Sequence, residues 1–156
     1  MSMRYEPPVR WPTLKRWVLT CVGLAYAVSW ALPVFFFDGH RSLRGIEVLL
    51  SGWMGPVLLE FGWYANPCFL AACVALAVGR ERIALGSSLV ALLLGLTSFA
   101  TTGWVFDEAE LTPIRGLGAG FGLWLCAIAL LAAFSVVVVV VGRRREVAAL
   151  GFKDTE

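Results

Sequence analysis

The sequence predicts an all-α membrane protein: a bundle of four transmembrane helices, with a short amphipathic helix lying on the membrane surface in the first outer loop. Three observations predict it. Of 156 residues, 59% are hydrophobic and 15% charged, with a mean hydropathy of +0.78, which is more apolar surface than a soluble domain of this size buries. Four long runs are almost free of charge, and each is near the roughly 20 residues a helix needs to cross a bilayer. The basic residues gather between these runs, as topology signals do.

The first run, 17–37, follows Lys15 and Arg16 and stays uncharged until Asp38. A signal peptide is the rival reading, because Ala27 and Ser29 after an apolar stretch resemble a cleavage site. The run continues through Trp30, Leu32 and Phe35, longer than a signal core, so an uncleaved span is expected. The outer loop 38–56 interleaves Asp38, His40, Arg41, Arg44 and Glu47 with Leu43, Ile46, Leu49 and Leu50. That spacing puts the apolar residues on one helical face, which suits a surface helix, with Trp53 at headgroup depth. The second span, 57–79, ends at Arg80 and Arg82. The third, 83–106, must be its antiparallel neighbour, because only Arg80, Glu81 and Arg82 separate the two. A second outer loop, 107–116, leads into the fourth span, 117–141, which stops at Arg143, Arg144 and Arg145.

Arg4, Arg10, Lys15, Arg16, Arg80, Arg82, Arg143, Arg144, Arg145 and Lys153 fall on one side of this arrangement, and Arg41, Arg44 and Arg115 on the other. The positive-inside rule makes the first side cytoplasmic. The chain therefore reads as one integral membrane domain with both tails in the cytoplasm. The outer side carries Asp38, Glu47, Asp107, Glu108 and Glu110.

Candidate chemistry is sparse. Cys21, Cys68, Cys73 and Cys126 lie in the spans at different depths and lack C-x-x-C spacing, so they read as helix-packing residues and no metal is expected. His40 is the single histidine and reads as a loop residue. Glu60 interrupts the apolar start of the second span, with Tyr64 at i+4 on the same expected face; acids near spans tend to be functional. Asn66, beside Pro67, needs partners in hydrocarbon. Counting rise per residue from the cytoplasmic edge places Thr97, Ser98 and Ser29 at its depth, a polar layer for a ligand or for hydrogen bonds between helices. In the fourth span Gly118, Gly122, Cys126, Ala129 and Ala133 make a stripe of little bulk, which lets helices approach closely. Such a stripe serves packing within the chain, a homo-oligomer or a partner helix.

No phosphate-binding loop, dinucleotide fingerprint, nucleophile elbow, zinc-protease motif or paired carboxylate site occurs. An enzyme is not expected, no cofactor is implied, and the net charge of +2 leaves no footprint for nucleic acid.

The block Gly62-Trp63-Tyr64-Ala65-Asn66-Pro67, with the later Gly120-Phe121-Gly122-Leu123-Trp124-Leu125, resembles an uncharacterised set of small bacterial inner-membrane proteins. The resemblance implies a bacterial origin and four spans, and no activity. Apart from the lipid bilayer, the partners expected are a protein or a second copy, bound through the fourth span or the outer loops. The leading expectation is an accessory or immunity-type interaction protein, and the second is a small transporter or ligand-binding protein that uses the polar layer.

Overall fold

The computed structural model describes residues 11–58, 60–106 and 111–151. The basic residues Arg4, Arg10 and Lys153 and the acids Asp107, Glu108 and Glu110 lie outside the described residues.

Helix α1 spans Trp11–Ala31 and stops because Pro33 has no amide hydrogen to continue the ladder and pushes the residue before it away from helical angles. The aromatic run that follows favours extended backbone and forms strand β1, Pro33–Phe36. A 3-10 turn, Asp38–His40, with Gly39 at φ 73°, returns the chain as β2, Ser42–Arg44. The two strands pair antiparallel, with Phe35 opposite Leu43.

Helix α2, Gly45–Ser51, follows directly, its start fixed by the Glu47 carboxylate accepting from the Arg44 amide at 2.6 Å. Residues Gly52–Leu58 form a 3-10 stretch and Gly62–Tyr64 a second 3-10 turn. Only then does α3 begin, at Ala65, running to Ala77. Pro67 sits in its first turn, where backbone amides have no intrahelical partner in any case.

Helix α3 ends in a Schellman motif. The Arg80 amide donates to the Ala75 carbonyl at 2.8 Å and the Gly79 amide to that of Leu76 at 3.3 Å. Gly79 takes φ 79°, an angle that glycine reaches without strain. Helix α4, Glu81–Thr97, folds back along α3. It runs into a 3-10 turn, Ser98–Ala100, and then β3, Gly103–Val105, which pairs antiparallel with β4, Leu111–Pro113. Strand β5, Gly116–Leu117, adds to the free edge of β1, giving the order β2-β1-β5. Helix α5, Ala119–Gly151, is the last described element.

The molecule is thus a helical body with a cap of short strands and turns at one end. Inside the body, α3 meets α4 and α5 packs on both α1 and α4. Ala72, Ala75, Ala84, Ser88 and Ala91 are buried, so small residues fill the interior faces of α3 and α4, and buried Gly95 lies against Trp124, Leu125 and Ile128 of α5. Val22, Phe69, Leu76, Ile128 and Leu131 fill the remaining interior. A second apolar cluster, Val34, Phe35, Phe37, Leu43 and Phe121, joins the cap to the start of α5. The outward faces stay apolar, with Leu24, Val28, Leu70, Val74, Leu93, Leu130 and Val137 exposed.

The expected bundle of four transmembrane helices is overturned. Among the described residues two helices, not four, have the length and composition to cross a membrane: Glu81–Ala100, which is α4 with its 3-10 extension, and Ala119–Arg144 within α5. The other two expected spans fall short for local reasons. In α1 the charges of Lys15 and Arg16 leave Trp17 to Ala31 as the uncharged part, about 22 Å of helix, because Pro33 converts the expected outer end into a strand. In the expected span 57–79, helix begins only at Ala65, so α3 has 13 residues, about 20 Å against a hydrocarbon thickness of about 30 Å.

The expected surface helix is also corrected. Helix α2 has its Ile46 and Leu50 exposed, while Val48 and Leu49 turn inward onto a cavity. Its apolar residues are divided between two faces rather than gathered on one.

Candidate functional site

A cavity of about 310 Å³ lies where the helical body meets the cap. Its walls are aromatic, with Trp30 from α1, Trp63 from the turn before α3, Trp104 from β3, and Phe121 and Trp124 from α5, joined by Phe35 of β1. Helix α2 and the following 3-10 stretch cover it with Val48, Leu49 and Met54. The cover is tied down by the Trp63 indole, whose Nε1 donates to the Leu49 carbonyl at 2.8 Å.

Ser29, Glu60, Asn66, Ser98 and Thr101 bring polar atoms to this lining. They come from α1, the segment before α3, α3 itself and the 3-10 turn after α4 with the residue that follows it, so the site exists only when these parts are assembled. Asn66 is 8% exposed. Its Oδ1 accepts from the Tyr26 hydroxyl at 3.0 Å and from Trp124 Nε1 at 2.9 Å, and its Nδ2 donates to the Trp63 carbonyl at 2.8 Å. One carboxamide thereby links α1, α3 and α5. Ser29 is buried and donates to the carbonyl of Tyr26 at 2.6 Å.

The Glu60 carboxylate accepts from the Thr101 hydroxyl at 2.6 Å. Among the described residues the ion pairs are Lys15 with Glu81 and Arg115 with Asp38, so Glu60 has no cationic partner there. Arg115 is pushed further up in pKa by its hydrogen bond and charge contact with Asp38, and Arg41 lies over the Phe106 ring at 3.7 Å. Of the three outer arginines, Arg115 and Arg41 thus have other contacts, and exposed Arg44 forms no ion pair among the described residues. A buried donor is also unmet at the site: among the described residues Trp30 Nε1 has no hydrogen-bond partner, although the residue lines the cavity. Buried polar atoms are usually paired, so an unpaired one marks a place where a bound group could contribute.

The expected polar layer is therefore assembled in part. Ser29, Asn66 and Ser98 reach one cavity, and Glu60, expected apart from them at the outer boundary, joins them. Gly62 allows this, because a Cβ there would collide with Ser98 Oγ. Thr97 does not join: it is exposed and its hydroxyl donates to the Leu94 carbonyl at 2.6 Å. Tyr64 does not share a face with Glu60, since helix has not begun at residue 60; the residue is 37% exposed and its hydroxyl stands 3.5 Å from the Trp53 carbonyl.

The small-residue stripe divides as well. Gly118 is buried beneath the Pro33 carbonyl, and Ala129 is half-buried, whereas Gly122, Cys126 and Ala133 are exposed. The packing face of α5 is formed instead by Ala127, Ile128, Leu131, Ala132, Ser135 and Val138. The other cysteines are free, with Cys21 exposed and Cys68 and Cys73 half-buried. Among the described residues no group of three histidine, cysteine or acidic side chains is placed to hold a metal ion.

Sequence reasoning missed the aromatic lining. Trp63, Trp104 and Trp124 fit a membrane-interface belt by position alone, and nothing in their spacing shows that they converge with Trp30. No protein-family profile, curated protein or solved structure matches the chain.

Proposed function

We propose that this chain is a small ligand-binding protein of the bacterial inner membrane, with α4 and α5 crossing the bilayer, their arginine-bearing ends in the cytoplasm and the capped cavity towards the outer side. The observation that carries the reading is the aromatic cavity into which Ser29, Glu60, Asn66 and Ser98 converge from separate elements. Concave, mostly apolar sites with a few placed polar groups are the usual form of small-molecule sites, and 310 Å³ lies at the lower end of their range of roughly 300 to 1,000 Å³. The bilayer placement is supported by the two long apolar helices and the apolar outward faces. The orientation is supported by Lys15, Arg16, Arg80, Arg82, Arg143 and Arg144 at the end of the body opposite the cap, and the bacterial origin by the two sequence blocks around Asn66 and Trp124. The reading includes no catalytic step.

A thermal-shift screen of small amphipathic molecules, on full-length protein in lipid nanodiscs, tests it. Binding to the folded state alone stabilises by about 2.7 kcal/mol at a hundredfold excess over Kd. A subset of compounds is expected to raise the unfolding midpoint, with the gain abolished in Leu49→Trp, which fills the cavity from its cover. Equal shifts in wild type and the filled variant would place binding elsewhere and overturn the reading.

A second reading, an accessory or immunity-type partner protein, is favoured by one observation: Gly122, Cys126 and Ala133 leave an exposed, low-bulk face on α5. Small-residue faces are the usual contacts between helices in membranes. Crosslinking in cells at native expression, followed by mass spectrometry, is expected on this reading to yield a reproducible protein neighbour or a second copy. A clean monomer counts against it.

A further inference from the structure

We infer that the cavity takes a small organic monocation, an ammonium group on an apolar body, with Glu60 as its counter-ion and the indole faces as its walls. The inference rests on the ligand-binding reading above and adds the chemical class of the ligand.

The argument begins with charge. Glu60 is half-buried at the cavity wall. Its contact is the neutral hydroxyl of Thr101, and among the described residues no lysine or arginine is paired with it. An acid near the interior of a membrane protein is costly and is normally matched by an opposite charge or used by a ligand. No arginine or lysine lines the cavity; of the outer arginines, Arg115 pairs with Asp38 at 2.9 Å, Arg41 lies over the Phe106 ring, and Arg44 is exposed without an ion pair among the described residues. A carboxylate held by one hydroxyl keeps acceptor sites for further donors, and an ammonium brings three.

The walls point the same way. Trp30, Trp63, Trp104 and Trp124 line the cavity with Phe35 and Phe121. Aromatic faces attract cations through the ring quadrupole, tryptophan most strongly, and cages of such rings recognise alkylammonium groups. A neutral ligand would leave the Glu60 charge uncompensated, and an anion would be repelled by it. Asn66 cannot substitute for the missing cation, because its carbonyl already accepts two donors and its amide faces the Trp63 carbonyl. A free amine and the ammonium of a lipid headgroup share this chemistry.

The test uses full-length protein in phosphatidylglycerol nanodiscs and a matched pair of probes, 4-phenylbutylamine and the uncharged 4-phenylbutanol, with tryptophan fluorescence as the readout. The amine is expected to bind at least tenfold more tightly than the alcohol. Glu60→Gln, which keeps the shape and a partner for Thr101, is expected to remove that preference while leaving alcohol binding within twofold. Equal binding of amine and alcohol by wild type, or an amine preference that survives in Glu60→Gln, would overturn the cation while leaving the cavity as a neutral-ligand site. Binding of neither probe would overturn the ligand-binding reading too. If Glu60→Gln fails to fold, the wild-type comparison of the two probes decides alone. Adding phosphatidylethanolamine to the discs separates the sources: competition with the amine assigns the site to a lipid headgroup, and unchanged affinity assigns it to a free amine.

Discussion

Asn66 is the residue on which most of the site's geometry converges. Its Oδ1 accepts from Tyr26 and Trp124 and its Nδ2 donates to the Trp63 carbonyl. Removing the carboxamide strands the buried Tyr26 hydroxyl and the half-buried Trp124 indole donor, and an unmet donor costs more than the bond was worth. Asn66→Leu is therefore expected to destabilise the protein by ~1–3 kcal/mol, and Tyr26→Phe, which removes one donor and strands nothing, by about 0.6 kcal/mol. Unfolding in detergent would measure both; equal effects would mean that the network is not centred on Asn66. Part of this was legible: a carboxamide in an apolar run must find partners, and Ser29, Asn66 and Ser98 do meet. Thr97 was not, because adjacent residues on a helix point about 100° apart, so Thr97 and Ser98 cannot both face inward. Glu60 was legible as an unusual acid, but depth counted along a helix could not place it, since the chain before Ala65 is not α-helical.

At the scale of elements, the α3–α4 hairpin depends on one backbone angle. Gly79 sits at φ 79° with open space around it, so a side chain there meets no steric clash with neighbours but pays the left-handed penalty of roughly 1–2 kcal/mol. Gly86, in the middle of α4 and likewise without close neighbours, has ordinary helical angles. Gly79→Ala is expected to lower stability by about 1 kcal/mol, and Gly86→Ala to raise it by ~0.5–1 kcal/mol; unfolding midpoints of the two variants should move in opposite directions. The hairpin itself was legible, because three polar residues between two apolar runs leave no alternative. The outer ends of the runs were not. Hydropathy reads Phe35, Val57 or Trp104 as span whether the backbone is helix, turn or strand, and here Pro33 and Pro67 decide that the cap is built from strands and 3-10 turns.

For the whole molecule, the proposed orientation predicts which parts face outward. In a background lacking the native cysteines, Ser42→Cys, exposed on β2, is expected to react with a membrane-impermeant maleimide on intact cells. Arg143→Cys, exposed at the other end of α5, is expected to react only after lysis. The reverse pattern would invert the molecule. The sequence by itself determined that the chain is mostly helical, that it carries long apolar runs, which residues connect the two central helices, and that Asn66 needs partners. These follow from composition and from contacts a few residues apart. Only the tertiary structure decided that among the described residues two helices rather than four are long enough to cross a membrane, that Gly122, Cys126 and Ala133 of the α5 stripe lie off the packing face, and that four tryptophans line a cavity with Glu60. Those outcomes depend on where helices stop and on residues as far apart as Trp30 and Trp124 coming together, and periodicity along the chain carries no information about meetings at that range.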